Sequence, residues 1–197
     1  MADRVAEVLD GIDEANSRDP VLVEHEGRQV PRALLYGQRM SAWLGRYRPT
    51  VSDELRIAAR AQHIERWIKP RDTYPEGRIG YLKWRKDLQK HHADRTAEIM
   101  RAHGYDDGSI ERVGSLLRKE RLKQDEDVQT LEDVICFVFL EYEAPEFIAK
   151  HDDDKVRDIL LKTARKMSAE GVSAAATLNL DERLQRLLGE ALNGQAT

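Results

Sequence analysis

The chain has 197 residues, 35% of them charged, a net charge of −4 and a single cysteine. That length suits one compact domain with a sizeable core, the charge argues against general nucleic-acid binding, and a lone cysteine rules out an internal disulfide. No stretch approaches the roughly 18 consecutive apolar residues that span a bilayer, and no apolar leader opens the chain. The expectation is a cytoplasmic protein with no membrane partner.

Residues 2–15 place Val5, Val8, Leu9 and Ile12 at helical spacing and end in the turn-rich NSRDP, which predicts a first helix. VLVEHEGRQV reads as a short extended excursion or small hairpin around Gly27, and Pro31 then opens a second helix running to about Arg48. Ser52 or Asp53 caps a third helix that carries His63 and continues until Pro70 stops it. A long amphipathic helix follows from YLKWRK and is closed by Gly104. Ser109 is expected to cap a shorter helix through Leu122. Residues 128–143 form a helix apolar on every side, 152–167 another, and 181–192 the last, with a tail beyond Asn193. The fold class is therefore all-α: a single compact helical domain over 1–197.

Residues three or four apart share a helix face, and on that spacing His92 joins Leu88, Thr96 and Ile99 on the apolar side of the long helix. His91 is turned about 100° away and reads as exposed. His63 borders the core stripe of Ile57, Ala61 and Ile64. Asp133 stands at the mouth of the most apolar helix, where a carboxylate needs partners. It either reaches back from the third helical position towards a Thr130 N-cap or serves as a ligand. Trp67, Trp84 and Tyr81 read as packing residues, Cys136 as a small core residue, and DDDK as a helix N-terminus whose carboxylates suit the macrodipole.

From LLYGQRMSAWLGRY through IAARAQHIERW and HHADRTAEIMRAHGYDDGSIERVGSLLRKERL to QTLEDVICFVFLEY, residues 30–145 resemble a five-helix HD-type metal phosphohydrolase domain. The resemblance makes 1–29 and 146–197 flanking helices packed on that core. It implies metal ligands at His63, His92 and Asp133, and a catalytic candidate in Asp133. It also puts Gln38 where that superfamily has its first histidine, Ile64 in place of the paired aspartate, and Lys119 in place of a fourth-helix histidine. Along nearly the whole chain, in IDEAN, LLYGQRM, RAQHIERW, YLKWR, VQTLEDV and KHDDDKVRDILLKTARKM, the sequence is similar to an uncharacterised domain-of-unknown-function family, number 4202 in that series. That similarity implies no activity.

Isoleucine supplies no ligand atom, so Ile64 argues against a two-metal centre and leaves room for at most one divalent ion. Lys119 repels a metal and attracts phosphate. Arg60, Arg85 and Lys119 are candidates for an anion-binding wall, with Gln38 and Glu132 completing the ligand-binding set, while Arg66 reads as solvated surface charge. The expected function is binding of a phosphorylated small molecule or nucleotide in a degenerate HD-like pocket. An active mononuclear metal-dependent phosphohydrolase is the alternative. A non-catalytic protein-interaction module, for which a homodimer is one form, is the second.

Overall fold

A computed structural model describes residues 3–178 and 180–193; the expected helix start at Ala2 and the tail beyond Asn193 lie outside them. The described residues form ten α-helices and one two-stranded hairpin, an all-α fold. The chain divides into two compact units, Met1–Arg121 and Leu122–Thr197.

The first unit opens with α1 (Arg4–Asn16), capped by Asp3 and burying Val5, Val8 and Ile12. The strands β1 (Leu22–His25) and β2 (Arg28–Pro31) pair antiparallel around Glu26 and Gly27. Both turn residues are left-handed, at φ 51° and 74°, as a two-residue turn matched to strand twist requires. Helix α2 (Arg32–Tyr47) has no cap from its own N-terminal residue, Pro31. The buried Asp19 supplies one from outside the helix: its carboxylate accepts from Val21 N and, 14 residues on, from Ala33 N, each at 2.9 Å. Helix α4 (Gly77–Ala102) closes in a Schellman turn on Gly104, with Tyr105 N donating to the Met100 carbonyl and Gly104 N to that of Arg101.

Helix α3 (Asp53–Ala61) is shorter than its pattern predicts, and His63 sits in the turn beyond it. Pro70 does not end this helix. Glu65 adopts a left-handed conformation at φ 49°, and its amide donates to the buried Asn16 side chain of α1 at 3.0 Å. Two short 3-10 turns, Arg66–Ile68 and Arg71–Thr73, fill the stretch before α4. Helix α5 (Asp107–Leu117) is capped by Asp106, whose carboxylate accepts Ser109 N, so Ser109 lies inside the first turn instead of capping it and the helix stops before Leu122. The core is built from Leu55 and Ile57 of α3, Met40 of α2, Met100 of α4 and Leu116 of α5, all fully buried. Each such side chain contributes about 1.5–3 kcal/mol.

The second unit holds α6 (Glu126–Val138), α7 (Ala144–Ala149), α8 (Asp153–Ala164), α9 (Ala169–Ala175) and α10 (Glu182–Asn193). Asp125, not Thr130, caps α6, so Asp133 lies mid-helix, two turns beyond the cap. The apolar run does not continue as one α-helix to Glu143. It widens into a π-helical turn at Phe139–Glu143, next to Pro145, which has no N–H to return to the Glu141 carbonyl. Asp152 caps α8, with Asp153 and Asp154 in its first turn. Asp153 then bridges to Arg183 at 2.7 Å and Arg186 at 2.8 Å, tying α10 to α8.

Candidate functional site

Two of the expected ligands come together in the first unit. The His63 and His92 ring centroids are 6.2 Å apart and tilted by 38°, a separation that one small polar group can bridge. His92, on α4, is 2% exposed, and its Nδ1 lies 2.8 Å from the Ile64 carbonyl. A carbonyl only accepts, so Nδ1 carries the proton and Nε2 is left with a bare lone pair. That Nε2 is buried and has no hydrogen-bond partner.

The peptide between Ile64 and Glu65 is therefore held from both sides: His92 donates to its carbonyl and Asn16 accepts from its amide. This clamp fixes the turn that presents His63. Ile64 itself is fully buried, so the residue in the paired-aspartate position gives its side chain to the core and its carbonyl to His92.

His63 stacks on Tyr36 with ring centroids 3.7 Å apart and planes within 17°. Burial holds its pKa well below the usual imidazole value, and the charges of Arg66, the neighbouring His92, Lys119 and Arg85 push it the same way. His92 is lowered by burial to about 3, against the opposing effect of its bond to Ile64. Both imidazoles are neutral at pH 7. His91 is half-buried, not exposed: its Nε2 is 3.6 Å from Glu65, whose other oxygen accepts from Arg95 at 3.1 Å.

The remaining expected residues divide. Arg85 and Lys119 stand close enough for their charges to be felt at His63, and so does Arg66. Arg66 is no solvated surface charge, because its guanidinium lies 4.7 Å from the Trp84 ring. Lys119 takes a left-handed backbone at φ 56°, a conformation that costs a non-glycine residue energy. Arg60 faces Asp13 of α1 at 3.6 Å, and Gln38 is exposed and hydrogen-bonds the same carboxylate. Burial raises the Asp13 pKa, with Arg60 and Gln38 opposing it.

Asp133 and Glu132 belong to the second unit. Both Asp133 oxygens are engaged: Oδ1 accepts Gln129 Nε2 at 3.0 Å and Ser168 N at 2.8 Å, and Oδ2 accepts Ser168 Oγ at 2.6 Å. Ser168 Oγ accepts Gly171 N at 2.8 Å, capping α9. The carboxylate lies against Gly171, where an added Cβ would meet its atoms at 2.6–2.7 Å. Asp133 thus caps no helix itself: it holds Ser168, the residue that caps α9, by that residue's amide and hydroxyl. Glu132 is buried, with Lys166 Nζ 4.0 Å away. Among the described residues no three His, Cys, Asp or Glu side chains gather in a way that could hold a metal ion.

Sequence reasoning passes over Tyr36, Asn16 and Glu65. Tyr36 lies within LLYGQRM, the segment that also supplies Gln38, so its proximity to His63 had a signal. Asn16 had none, since its partner is 49 residues away.

The described residues define an all-α protein whose first unit sets two neutral imidazoles among cations. The chain belongs to the family described as Domain of unknown function (DUF4202), whose model matches residues 6–188. No curated protein and no solved structure matches it. Among the described residues no helix is long and apolar enough to cross a membrane.

Proposed function

We propose that the first unit binds a phosphorylated small molecule or nucleotide at His63 and His92, in a degenerate HD-like pocket. The observation that carries this reading is the buried Nε2 of His92, left without a partner beside a histidine that feels Arg66, Arg85 and Lys119. Cations supply the phosphate contacts, with arginine able to bind two oxygens at once. The bare Nε2 accepts a hydrogen bond from a hydroxyl or amino group of the same ligand. An unpartnered buried polar group costs about 1–3 kcal/mol, and a ligand that satisfies it recovers that cost on binding.

The donor set does not fit a divalent ion. Two imidazoles without a third anionic ligand, set among three cationic side chains, repel a metal more than they hold it. The mononuclear hydrolase therefore ranks below the binding reading.

The test is a thermal-shift series with nucleotides and sugar phosphates on the full chain, repeated for Lys119→Ala and Arg85→Ala. A ligand at a hundred times its Kd adds about 2.7 kcal/mol, which raises Tm by about 5–10 °C at this size. The expected result is such a rise, reduced in both variants. No rise with any phosphorylated compound, or a rise indifferent to both substitutions, overturns the reading.

A further inference from the structure

The stretch between His63 and His92 carries a separate feature. Residues 66–86 hold seven lysines or arginines against two carboxylates, Asp72 and Glu76, in a chain of net charge −4. Within it, the first ten residues of α4 contain Arg78, Lys83, Arg85 and Lys86 and no carboxylate. Helix α4 is also open at its start: it has no side-chain cap and no acidic residue in its first turn, whereas Asp or Ser closes α1, α3, α5, α6, α8 and α9. Its N-terminal amides add positive potential to that of the side chains.

Apolar side chains stand out from this basic ground. Ile79 is 86% exposed and Leu82 51%. At 100° per residue, Ile79, Leu82, Lys83 and Lys86 share one face, about 100° round from Gly80, which is buried against the Pro75 carbonyl so closely that a Cβ would lie 1.8 Å from it. Tyr81, expected to pack, is 43% exposed but lies about 160° round the helix from Ile79, and Ile68 is exposed as well. The helix thus packs its own lead-in turn against a glycine and leaves Ile79 and Leu82 in solvent.

We propose that this face docks the protein on an anionic lipid surface, with Ile79 and Leu82 entering the headgroup boundary and Arg78, Lys83 and Lys86 meeting lipid phosphates. Exposed aliphatics within cations of one sign match the way peripheral helices bind charged bilayers. A nucleic acid fits less well, because bases stack on free aromatic faces. The Trp84 indole is already taken, its N–H donating to the Lys69 carbonyl at 2.8 Å and its ring covered by Arg66, and the exposed Tyr81 ring has the Arg85 guanidinium 5.8 Å from its centre and lies away from the Ile79 face. The expectation of no membrane partner rests on the lack of a spanning segment, which surface docking does not require. The proposal is independent of any ligand at His63 and His92.

The experiment is cosedimentation of the full chain with vesicles of neutral phosphatidylcholine, or of the same lipid with about 30 mol % phosphatidylglycerol. Binding to the anionic vesicles, at least about tenfold tighter than to the neutral ones, is expected. Reversing Lys83 and Lys86 to glutamate weakens it by about fivefold or more per site. The double variant Ile79→Ser with Leu82→Ser loses about tenfold while keeping the wild-type Tm, since both side chains are exposed in the folded chain. Failure to sediment with anionic vesicles at low salt overturns the proposal. So does binding that the Ile79/Leu82 variant leaves intact, or a preference for polyglutamate over vesicles.

Discussion

His92 and Asp133 are both buried polar side chains on long helices, and their surroundings differ in one respect. Asp133 has both oxygens engaged, by Gln129 and Ser168. His92 has one nitrogen bonded and one without a partner. A buried group whose bonds are all made inside the protein holds elements together; a buried group left with an open valence has capacity for something from outside. By that criterion His92 is where the proposed ligand binding would act, and Asp133 is architectural.

The largest expected effect tests the architectural half. Asp133→Ala strands the Ser168 amide and the Ser168 hydroxyl proton and is expected to cost about 3 kcal/mol in urea unfolding. Gly171→Ala, which drives a methyl into the same carboxylate, costs about 2–3 kcal/mol. Chelator treatment of the wild type leaves its Tm unchanged. A Tm drop on chelation that matches the Asp133→Ala deficit breaks the comparison, because the carboxylate is then a metal ligand after all.

Next in size is His92→Ala, expected to cost about 2 kcal/mol through the lost bond to Ile64 and the space left behind. Asn16→Ala removes the other side of the same peptide clamp and costs about 1 kcal/mol. If the pocket is a site, both variants also lose phosphate-ligand binding by calorimetry; retained affinity in both makes His92 as structural as Asp133.

pH sharpens the contrast further. His92 has a folded pKa of about 3, below the unfolded value near 6.5, so below pH 6.5 the unfolded chain binds more protons. Stability is fully present above pH 6.5 and falls between about 6.5 and 3, by on the order of 1 kcal/mol per pH unit. His63 is shifted the same way and adds to the slope. Urea titrations of the wild type and His92→Gln at pH 7, 6 and 5 check this, with a shallower slope expected in the variant. The smallest effect on folding is that of Lys119→Ala, which leaves stability within about 0.5 kcal/mol while weakening phosphate binding.

What the sequence showed and what it hid follow the reach of the interactions. Period and punctuation are local, so the inward face of His92, the Gly104 stop, the Asp152 cap and the turn at Gly27 were legible. The end of α3 was not, because its pattern runs on to Trp67 and only Asn16, far back in the chain, takes up the Glu65 amide. Asp133 was placed correctly as a carboxylate in need of partners. Its partner Ser168 lies 35 residues on, at the start of an alanine-rich helix too short to register as periodic. The hairpin, the capped start of α3 and the apolar character of α6 belong to the legible class; the Asp3 cap of α1 and the π-helical turn after Val138 belong to the other.

Asp19 carries one more consequence. By accepting from Val21 and Ala33 together, it ties the two feet of the hairpin into a closed ring, so α1 and α2 do not depend on the tip for their mutual placement. Chain length added at Glu26 and Gly27 is then nearly free of thermodynamic penalty, since doubling such a loop costs only about 0.6 kcal/mol. This tip is the place to splice in a fluorophore-binding peptide or an affinity handle. A reporter there replaces no side chain of the imidazole pair or of the basic face of α4.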